Sequence, residues 1–284
     1  MSIVVTAASG QLGRAVVTSL LDRGAAPADV VATSRRPESL ADLADRGVQV
    51  RRADYSEPAT LTEALAGAER VLLVSGDEFG RRVTQHTAVV EAAVAAGAGL
   101  LAYTSAPHAA TTSLALAAEH AATERVLVGS PIDHVLLRNA WYVENYTGQL
   151  ATYREHGLVG ATGEGRVSLA LRREYAEAAA AVLLGEGHAG ATYELGGEAV
   201  TLAELAAVIG DVTGEPIGHT DVPVAQLEQI LLGADLPASA AATFADVDRG
   251  IAAGELLVPT DDLTRLLGRA PLSTTDAVRE ALAG

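Results

Sequence analysis

Ile3-Val4-Val5-Thr6-Ala7-Ala8-Ser9-Gly10-Gln11-Leu12-Gly13-Arg14-Ala15-Val16-Val17-Thr18-Ser19-Leu20-Leu21 is the stretch that decides the fold. Its first residues form a short, β-branched apolar run, which predicts a buried strand. From Arg14 onward the apolar residues recur at helical spacing. A strand, a turn of small residues and a helix at this position open a dinucleotide-binding unit. The physical demand is close approach. A pyrophosphate sits on the free N–H groups at the helix start, and any Cβ aimed at it would hold it away. Gly10 and Gly13 meet that demand, whereas Ala7 stands where the usual G-x-x-G-x-x-G spacing has its first glycine. Taken alone, the motif also fits a structural turn punctuated by glycine.

The chain has 284 residues, enough for one large α/β domain or a domain with an added lobe. Hydrophobic residues make up 49% and aromatics only 4%, so a sizeable core must be built from Ala, Val and Leu. There is no cysteine, which excludes disulfides, thiolate catalysis and thiolate-bound metals. The net charge of −16 opposes binding to nucleic acid backbones and anionic membranes. All 20 basic residues are arginine. A coding bias accounts for that, but it leaves no lysine amine for any mechanism. No basic segment precedes an apolar stretch at the N-terminus, and no apolar run reaches the length of a membrane span, so a cytoplasmic location is expected.

Apolar runs alternate with helical patterns through the first half. Strands are predicted at Val30–Thr33, Val48–Arg51, Val71–Ser75, Leu100–Thr104 and Val135–Arg138. Helices are predicted at Ser39–Arg46, Ala59–Ala66, Thr84–Ala96 and Leu114–Val128. This alternation predicts an α/β fold with a Rossmann-type, doubly wound parallel sheet. Residues 1–145 form the expected dinucleotide-binding domain. Beyond Asn145 the pattern loosens, with helices at Leu202–Thr213, Val224–Leu232 and Ala238–Ala253 and a short strand at Thr192–Leu195. Residues 146–284 are expected to form a smaller, mostly helical lobe that caps the cleft and returns at least one strand to the main sheet.

Ligands of such sheets bind beyond the carboxyl ends of the strands. After the second strand the chain reads Thr33-Ser34-Arg35-Arg36, with no acid to hold a ribose 2′-hydroxyl. Arg35 there pairs with a 2′-phosphate, which points to NADPH; the alternative is a solvated basic pair. Asp54 follows the third strand, where it accepts from an adenine amino group or caps the next helix. Ser75 and Gly76 end the fourth strand, where the nicotinamide half of the cofactor passes. Ordinary short-chain dehydrogenases carry Tyr-x-x-x-Lys after the fifth strand, and no tyrosine here is followed four residues later by Lys or Arg. His120 and Glu124 instead share a helical face, as a ribose or substrate contact or as a structural pair.

The sixth strand runs into Arg138-Asn139-Ala140-Trp141-Tyr142-Val143-Glu144-Asn145-Tyr146, the densest polar-aromatic cluster in an aromatic-poor chain. Asn139 can hold a carboxamide or an acceptor carbonyl, and Trp141 and Tyr142 offer flat surfaces; an aromatic here can equally anchor the two lobes. The seven histidines show no metal-ligand spacing, so no metal is expected. There is no G-x-S-x-G elbow and no P-loop lysine.

Taken together, Ser9–Gly13, Arg52-Ala53-Asp54-Tyr55, Tyr103-Thr104-Ser105, Glu119-His120 with Thr123-Glu124, the Leu137–Tyr146 stretch, Ala170–Ala176 and Tyr193-Glu194-Leu195 give the chain a recognisable pattern. It resembles the NmrA-like branch of atypical short-chain dehydrogenases, and within it the bacterial NAD(P)H-dependent quinone oxidoreductases, from end to end. The resemblance implies a Rossmann domain with a small C-terminal lobe and hydride transfer from NADPH to a quinone. It implies a cofactor site made of Thr6, Ser9, Gly10, Gln11, Leu12 and Gly13, with Arg35, Asp54, Ser75, Gly76, Asn139, Trp141, Tyr142 and Arg172. Asn139, Tyr142 and His120 are the expected catalytic positions. Two departures stand out: Ala7 replaces the first loop glycine and Ser9 replaces a threonine. The branch also holds NADP(H)-sensing regulators that catalyse nothing, which is the non-enzyme alternative. The enzyme alternative is a reductase of a specialised carbonyl, imine or dye. The expected partner is a small planar acceptor, and a homodimer is compatible with the sequence.

Overall fold

A computed structural model describes residues 1–283. The strands are β1 (Ile3–Val5), β2 (Val30–Ser34), β3 (Gln49–Arg52), β4 (Arg70–Leu73), β5 (Leu100–Ser105), β6 (His134–Asn139), β7 (Trp141–Tyr142), β8 (Leu158–Gly160), β9 (Val167–Ala170), β10 (Thr192–Leu195), β11 (Glu198–Val200) and β12 (His219–Asp221). The helices are α1 (Gln11–Asp22), α2 (Ala41–Asp45), α3 (Pro58–Ala64), α4 (Arg82–Ala95), α5 (Ala117–Val128), α6 (Glu144–Thr147), α7 (Leu150–His156), α8 (Arg172–Leu184), α9 (Leu202–Thr213), α10 (Val224–Gly233), α11 (Ala238–Ala252), α12 (Asp262–Leu267) and α13 (Thr274–Ala283).

Seven strands pair in the order β10-β6-β5-β4-β1-β2-β3, and every pair is parallel. Val4 lies in register between Val31 and Val71. Helices cover both faces, so the central strands are apolar on both sides and read as continuous runs. Ile3, Val4 and Val5 are all fully buried. The strand order reverses between β1 and β4, which opens a crevice at their carboxyl ends. This is the expected doubly wound sheet. The smaller lobe is built on the sheet β11-β9-β7 and the pair β12-β8. Its separate core includes Val143, Val167, Leu205, Ile251 and Val278. No helix among the described residues is long and apolar enough to cross a membrane.

The predicted elements are recovered with shifted ends, and the shifts have causes. β4 stops at Leu73 rather than Ser75 because the next N–H groups leave the ladder. Val74 N–H donates to Thr6 Oγ1 at 3.0 Å and Ser75 N–H to Thr104 Oγ1 at 2.9 Å. The helix expected over 39–46 is split, with a 3₁₀ turn at Pro37–Leu40 ahead of α2. Helix α8 was not legible because it is alanine-rich and buried almost all round, so it shows no apolar stripe. It belongs to the main core with Val16, Val17 and Leu20 of α1.

The β1–α1 turn is tight. Ala7 has φ +49°, in the left-handed region that disfavours a side chain. Its carbonyl accepts from Gly10 N–H at 3.0 Å, and Ala8 N–H donates to Thr33 O of β2 at 2.8 Å. A Cβ on Gly13 would stand 2.6 Å from Ala7 O and 2.9 Å from Ala8 Cα, both backbone. Gly13 is therefore the residue that lets α1 lie against the end of β1.

Two stability predictions follow from this architecture. Ala7→Gly should raise the melting temperature by about 1–2 °C, since relief of left-handed strain slightly exceeds the added freedom of the unfolded chain. Gly13→Ala should destabilise by about 1–3 kcal/mol through backbone overlap. Thermal melts check both; a lower melting temperature for Ala7→Gly would show that the turn is already shaped for alanine.

In the lobe, Asp248 of α11 accepts from Ala161 N–H at 2.7 Å. Burial pushes its carboxyl up from 3.8 to about 6, and Asp221 adds repulsion. The folded protein thus holds a proton that the unfolded chain releases between those values. Stability should fall as pH rises through this window, by about 3 kcal/mol at most, and then level off. Asp248→Asn keeps an acceptor for Ala161 and should be more stable than the parent at pH 8 but not at pH 4. A stability difference independent of pH would refute this account.

Candidate functional site

The crevice at the strand reversal holds a cavity of about 300 Å³. Its wall contains Ser9, Gly10, Gln11, Leu12 and Gly13 from the first turn, Arg35 after β2, Asp54 after β3, and Ser75 and Gly76 after β4. Nine of the sequence-predicted residues therefore share one cleft. Tyr55, Glu78 and Gln85 line it as well. Sequence reasoning passed over Glu78 and Gln85, because neither follows a strand directly.

The floor fits a pyrophosphate. The first helical bond of α1 runs from Arg14 N–H to Gly10 O at 3.0 Å. The N–H groups of Gln11, Leu12 and Gly13 precede it and lack helical partners. No side chain caps this end, and its first turn carries no acid. The bare N–H groups, the positive end of the helix dipole and the glycine cradle together form an anion site. Thr6 does not line the cavity. It is fully buried and braces the turn from beneath, with Oγ1 within 2.9 Å of Leu72 O and close to the Tyr55 hydroxyl. Tyr55 in turn donates to Val74 O at 2.8 Å. Asp54 accepts from Ser56 N–H at 2.9 Å, so one carboxylate shapes the turn before α3 and also faces the cleft.

The Gly76 backbone is gripped at both its N–H and its carbonyl. Its N–H donates to His86 Nε2 at 3.0 Å, and its carbonyl accepts from Arg82 Nε at 2.8 Å. His86 Nε2 is thus the acceptor nitrogen, and Nδ1 carries the proton, 3.0 Å from Thr123 Oγ1. Burial, reinforced by the Arg82 cation, drives the His86 pKa down to about 3, so the imidazole is neutral at any working pH.

His120 and Glu124 are both buried and do different jobs. His120 Nδ1 is 2.8 Å from the Tyr103 hydroxyl. Burial, with the Arg82 and His86 neighbours, lowers its pKa to about 3. Glu124 accepts from Ser105 Oγ at 2.6 Å and from Arg138 Nε and Nη2 at 2.9 and 2.6 Å. Arg138 Nη1 also reaches Glu194 Oε1 of β10 at 2.8 Å. This guanidinium ties β6 to α5 and β10, and its two carboxylate partners hold it more firmly protonated than a free arginine.

At the end of β6 the chain alternates sides. Tyr142 joins the main core, while Trp141 packs against the core of the lobe. The two rings therefore do not share one face. Asn139, Tyr142 and Arg172 do come together. Asn139 Nδ2 donates to the Tyr142 hydroxyl at 3.3 Å, and the Arg172 guanidinium lies 5.1 Å from the centre of the Tyr142 ring. Burial raises the Tyr142 pKa, so its hydroxyl is neutral. Asn139 is 6% exposed, yet its Oδ1 has no hydrogen-bond partner. A buried carbonyl left without a donor is costly, and a ligand amide would satisfy it. No group of His, Asp or Glu among the described residues is placed to hold a metal ion.

Comparison with known proteins agrees with this geometry. The family described as NAD(P)H-binding matches residues 7–182. The chain is 41% identical to quinone oxidoreductase 2 of Escherichia coli over 97% of both chains. It is 29% identical to an NmrA-like family domain-containing oxidoreductase of Aspergillus flavus, over 99% of this chain and 95% of that one. Among solved structures, the NADPH complex of the E. coli quinone oxidoreductase superposes with a TM-score of 0.94, covering 98% of this chain and 99% of that one. The NADP(H) complex of the Citrobacter triphenylmethane reductase, 35% identical, gives 0.93 over 99% and 100%. With its glycine cradle, its doubly wound sheet and these relatives, the chain belongs to the NAD(P)H-binding, NmrA-like family of atypical short-chain dehydrogenases.

Proposed function

We propose that the protein is an NADPH-dependent oxidoreductase that passes hydride to a quinone or a similar planar, electron-poor acceptor. The observation that carries this reading is the buried, unpartnered Asn139 Oδ1 at the carboxyl end of β6, on the same edge of the parallel sheet as the α1 anion site although outside the lining of its cavity. The α1 N-terminus would hold the pyrophosphate, Arg35 the 2′-phosphate and Asp54 the adenine. Gly76 would let the nicotinamide pass close to the backbone, and Asn139 Oδ1 would take its carboxamide N–H. NADPH, when bound, supplies the hydride. Residues 1–145 would bind the cofactor and residues 146–284 would cap it, with β10 returned to the main sheet and α8 packed in its core. The cytoplasm is the location consistent with this reading.

The acceptor class follows from proton demand. A quinone that takes up hydride becomes a hydroquinone anion, a base of moderate strength, and water or the neutral Tyr142 hydroxyl completes it. A ketone needs a proton during the transfer itself, and losing general acid help costs about 10²–10⁴-fold. This chain has no lysine, no Tyr-x-x-x-Lys relay and two buried histidines too acidic to carry protons at neutral pH. The site is therefore suited to positioning more than to proton delivery. Asn139 and Arg172 hold Tyr142 in place, and Trp141 faces the lobe. The non-enzyme reading, a cofactor sensor, predicts NADPH binding without consumption.

A second reading has its own support. A triarylmethane dye is a cation that accepts hydride at carbon and needs no proton, and a net charge of −16 attracts it. One of the structural neighbours reduces such dyes. NADPH consumption against quinones, cationic dyes, imines and ketones, with an acceptor-free control, separates these readings. Turnover confined to ketones would reject the positioning mechanism.

Arg35→Ala should abolish most of the preference for NADPH over NADH. The loss should be about tenfold or less, because the guanidinium is 66% exposed. Equal affinity for both cofactors in the parent protein would remove Arg35 from this role. Asn139→Ala should weaken NADPH binding by about 3–10-fold, since it removes the acceptor for the carboxamide N–H, and unchanged NADPH affinity would remove Asn139 from this role. Tyr142→Phe should leave quinone reduction within about threefold and lower any ketone reduction by about 10²-fold or more. Loss of quinone turnover with NADPH binding intact would instead assign obligatory acid catalysis to Tyr142.

A further inference from the structure

Arg35 and Glu78 stand on opposite rims of the cofactor cleft. Arg35 follows β2 and Glu78 lies in the loop after β4, and these strands flank β1, whose turn forms the anion cradle. Both line the same cavity. Arg35 Nη1 donates to Glu78 Oε1 at 3.3 Å, so one ion pair joins the two rims.

Glu78 is anchored on its own side. Its Oε2 accepts from Arg81 Nη1 and from Gln85 Nε2, each at 3.0 Å. Both of those side chains also donate to Ser56 Oγ, at 3.1 and 3.0 Å. The carboxylate is thus fixed in the wall, while the Arg35 guanidinium, 66% exposed, is the movable partner. An exposed ion pair contributes at most about 1 kcal/mol to stability, so this one does little for the fold. Its effect falls on the ligand. A guanidinium engaged with a carboxylate has fewer donors free for a bidentate grip on phosphate. A phosphate that takes its place lies near the fixed Glu78 charge.

We propose that Glu78 is a specificity-determining residue that competes with the cofactor 2′-phosphate for Arg35. Glu78 holds the guanidinium across the cleft until a phosphate displaces it. It thereby lowers affinity for nucleotides bearing a 2′-phosphate and leaves those without one almost unaffected. The discrimination between NADPH and NADH is set by the difference between two anions at one guanidinium, not by Arg35 alone. This rests on the reading of Arg35 as the 2′-phosphate contact.

Calorimetric titration with 2′,5′-ADP and 5′-AMP tests it, since neither probe undergoes hydride transfer. Glu78→Gln should bind 2′,5′-ADP about 3–10-fold tighter and change 5′-AMP by less than about twofold. The gain should shrink in about 0.5 M salt. It should vanish in the Arg35→Ala, Glu78→Gln double variant, because the competition needs the guanidinium. Unchanged binding of 2′,5′-ADP, or equal tightening of both probes, overturns the proposal; so does a gain that survives without Arg35. If Arg35→Ala selectively weakens 2′,5′-ADP while Glu78→Gln does nothing, only the competition fails. If Arg35→Ala alters neither probe, the 2′-phosphate reading fails, and the competition with it.

Discussion

The contact between the start of α1 and the end of β1 is the constraint on which the rest of the molecule depends. The helix N-terminus must lie against the Ala7 and Ala8 backbone, and only Gly13 leaves room for it. That contact fixes the angle at which α1 packs on the sheet, and α8 packs on α1 in the same core. It also leaves three N–H groups facing the crevice. Packing and anion binding are thus the same geometric fact at two levels. Ala7 at φ +49° shows what the arrangement costs, since a side chain sits where glycine would be relaxed. Thr6 and Tyr55 hold that strained turn from below, and the Ala8–Thr33 bond ties it to β2.

The carboxyl ends of β6 and β10 are held for a different reason. Arg138 is held between Glu124 and Glu194, so one half-buried guanidinium ties the carboxyl ends of β6 and β10 to α5. Breaking such a network by removing its cation would strand the buried Glu124 carboxylate and the half-buried Glu194, which is destabilising. The pair that sequence spacing suggested, His120 with Glu124, is not a pair. Each residue serves its own buried partner, Tyr103 for one and Arg138 for the other. Around Gly76, the neutral His86 and the Arg82 cation fix the two peptide groups that flank one residue. The cleft is consequently pre-shaped at the α1 turn and at Gly76, and the exposed Arg35–Glu78 bridge joins its rims.

A proton relay is the feature this site does without. Lysine is absent from the chain, the buried histidines are neutral, and Tyr142 keeps its proton through burial. What remains is a set of dipoles and one stacked cation placed around a carbonyl. Such a site lowers a barrier by orientation, which suffices for an acceptor that takes hydride readily.

The alternation of buried strands and helices, the anion cradle, the lack of a lysine-dependent mechanism and the basic position after β2 are all legible in the order of the residues. These are local facts: strand runs, helix periodicity and the steric freedom of glycine need only neighbouring residues. Tertiary structure decided the remainder. It hid α8, because a helix buried almost all round carries no periodic signal. It ended β4 early, because the hydroxyls of Thr6, just after β1, and of Thr104 in β5 took over the next N–H groups. It turned Trp141 and Tyr142 to different cores, joined Asn139 to Arg172 through Tyr142, and set Glu78 against Arg35 across the cleft. The Tyr142–Arg172 and Arg35–Glu78 contacts link residues that only the packed sheet brings into reach, so no spacing along the chain announces them.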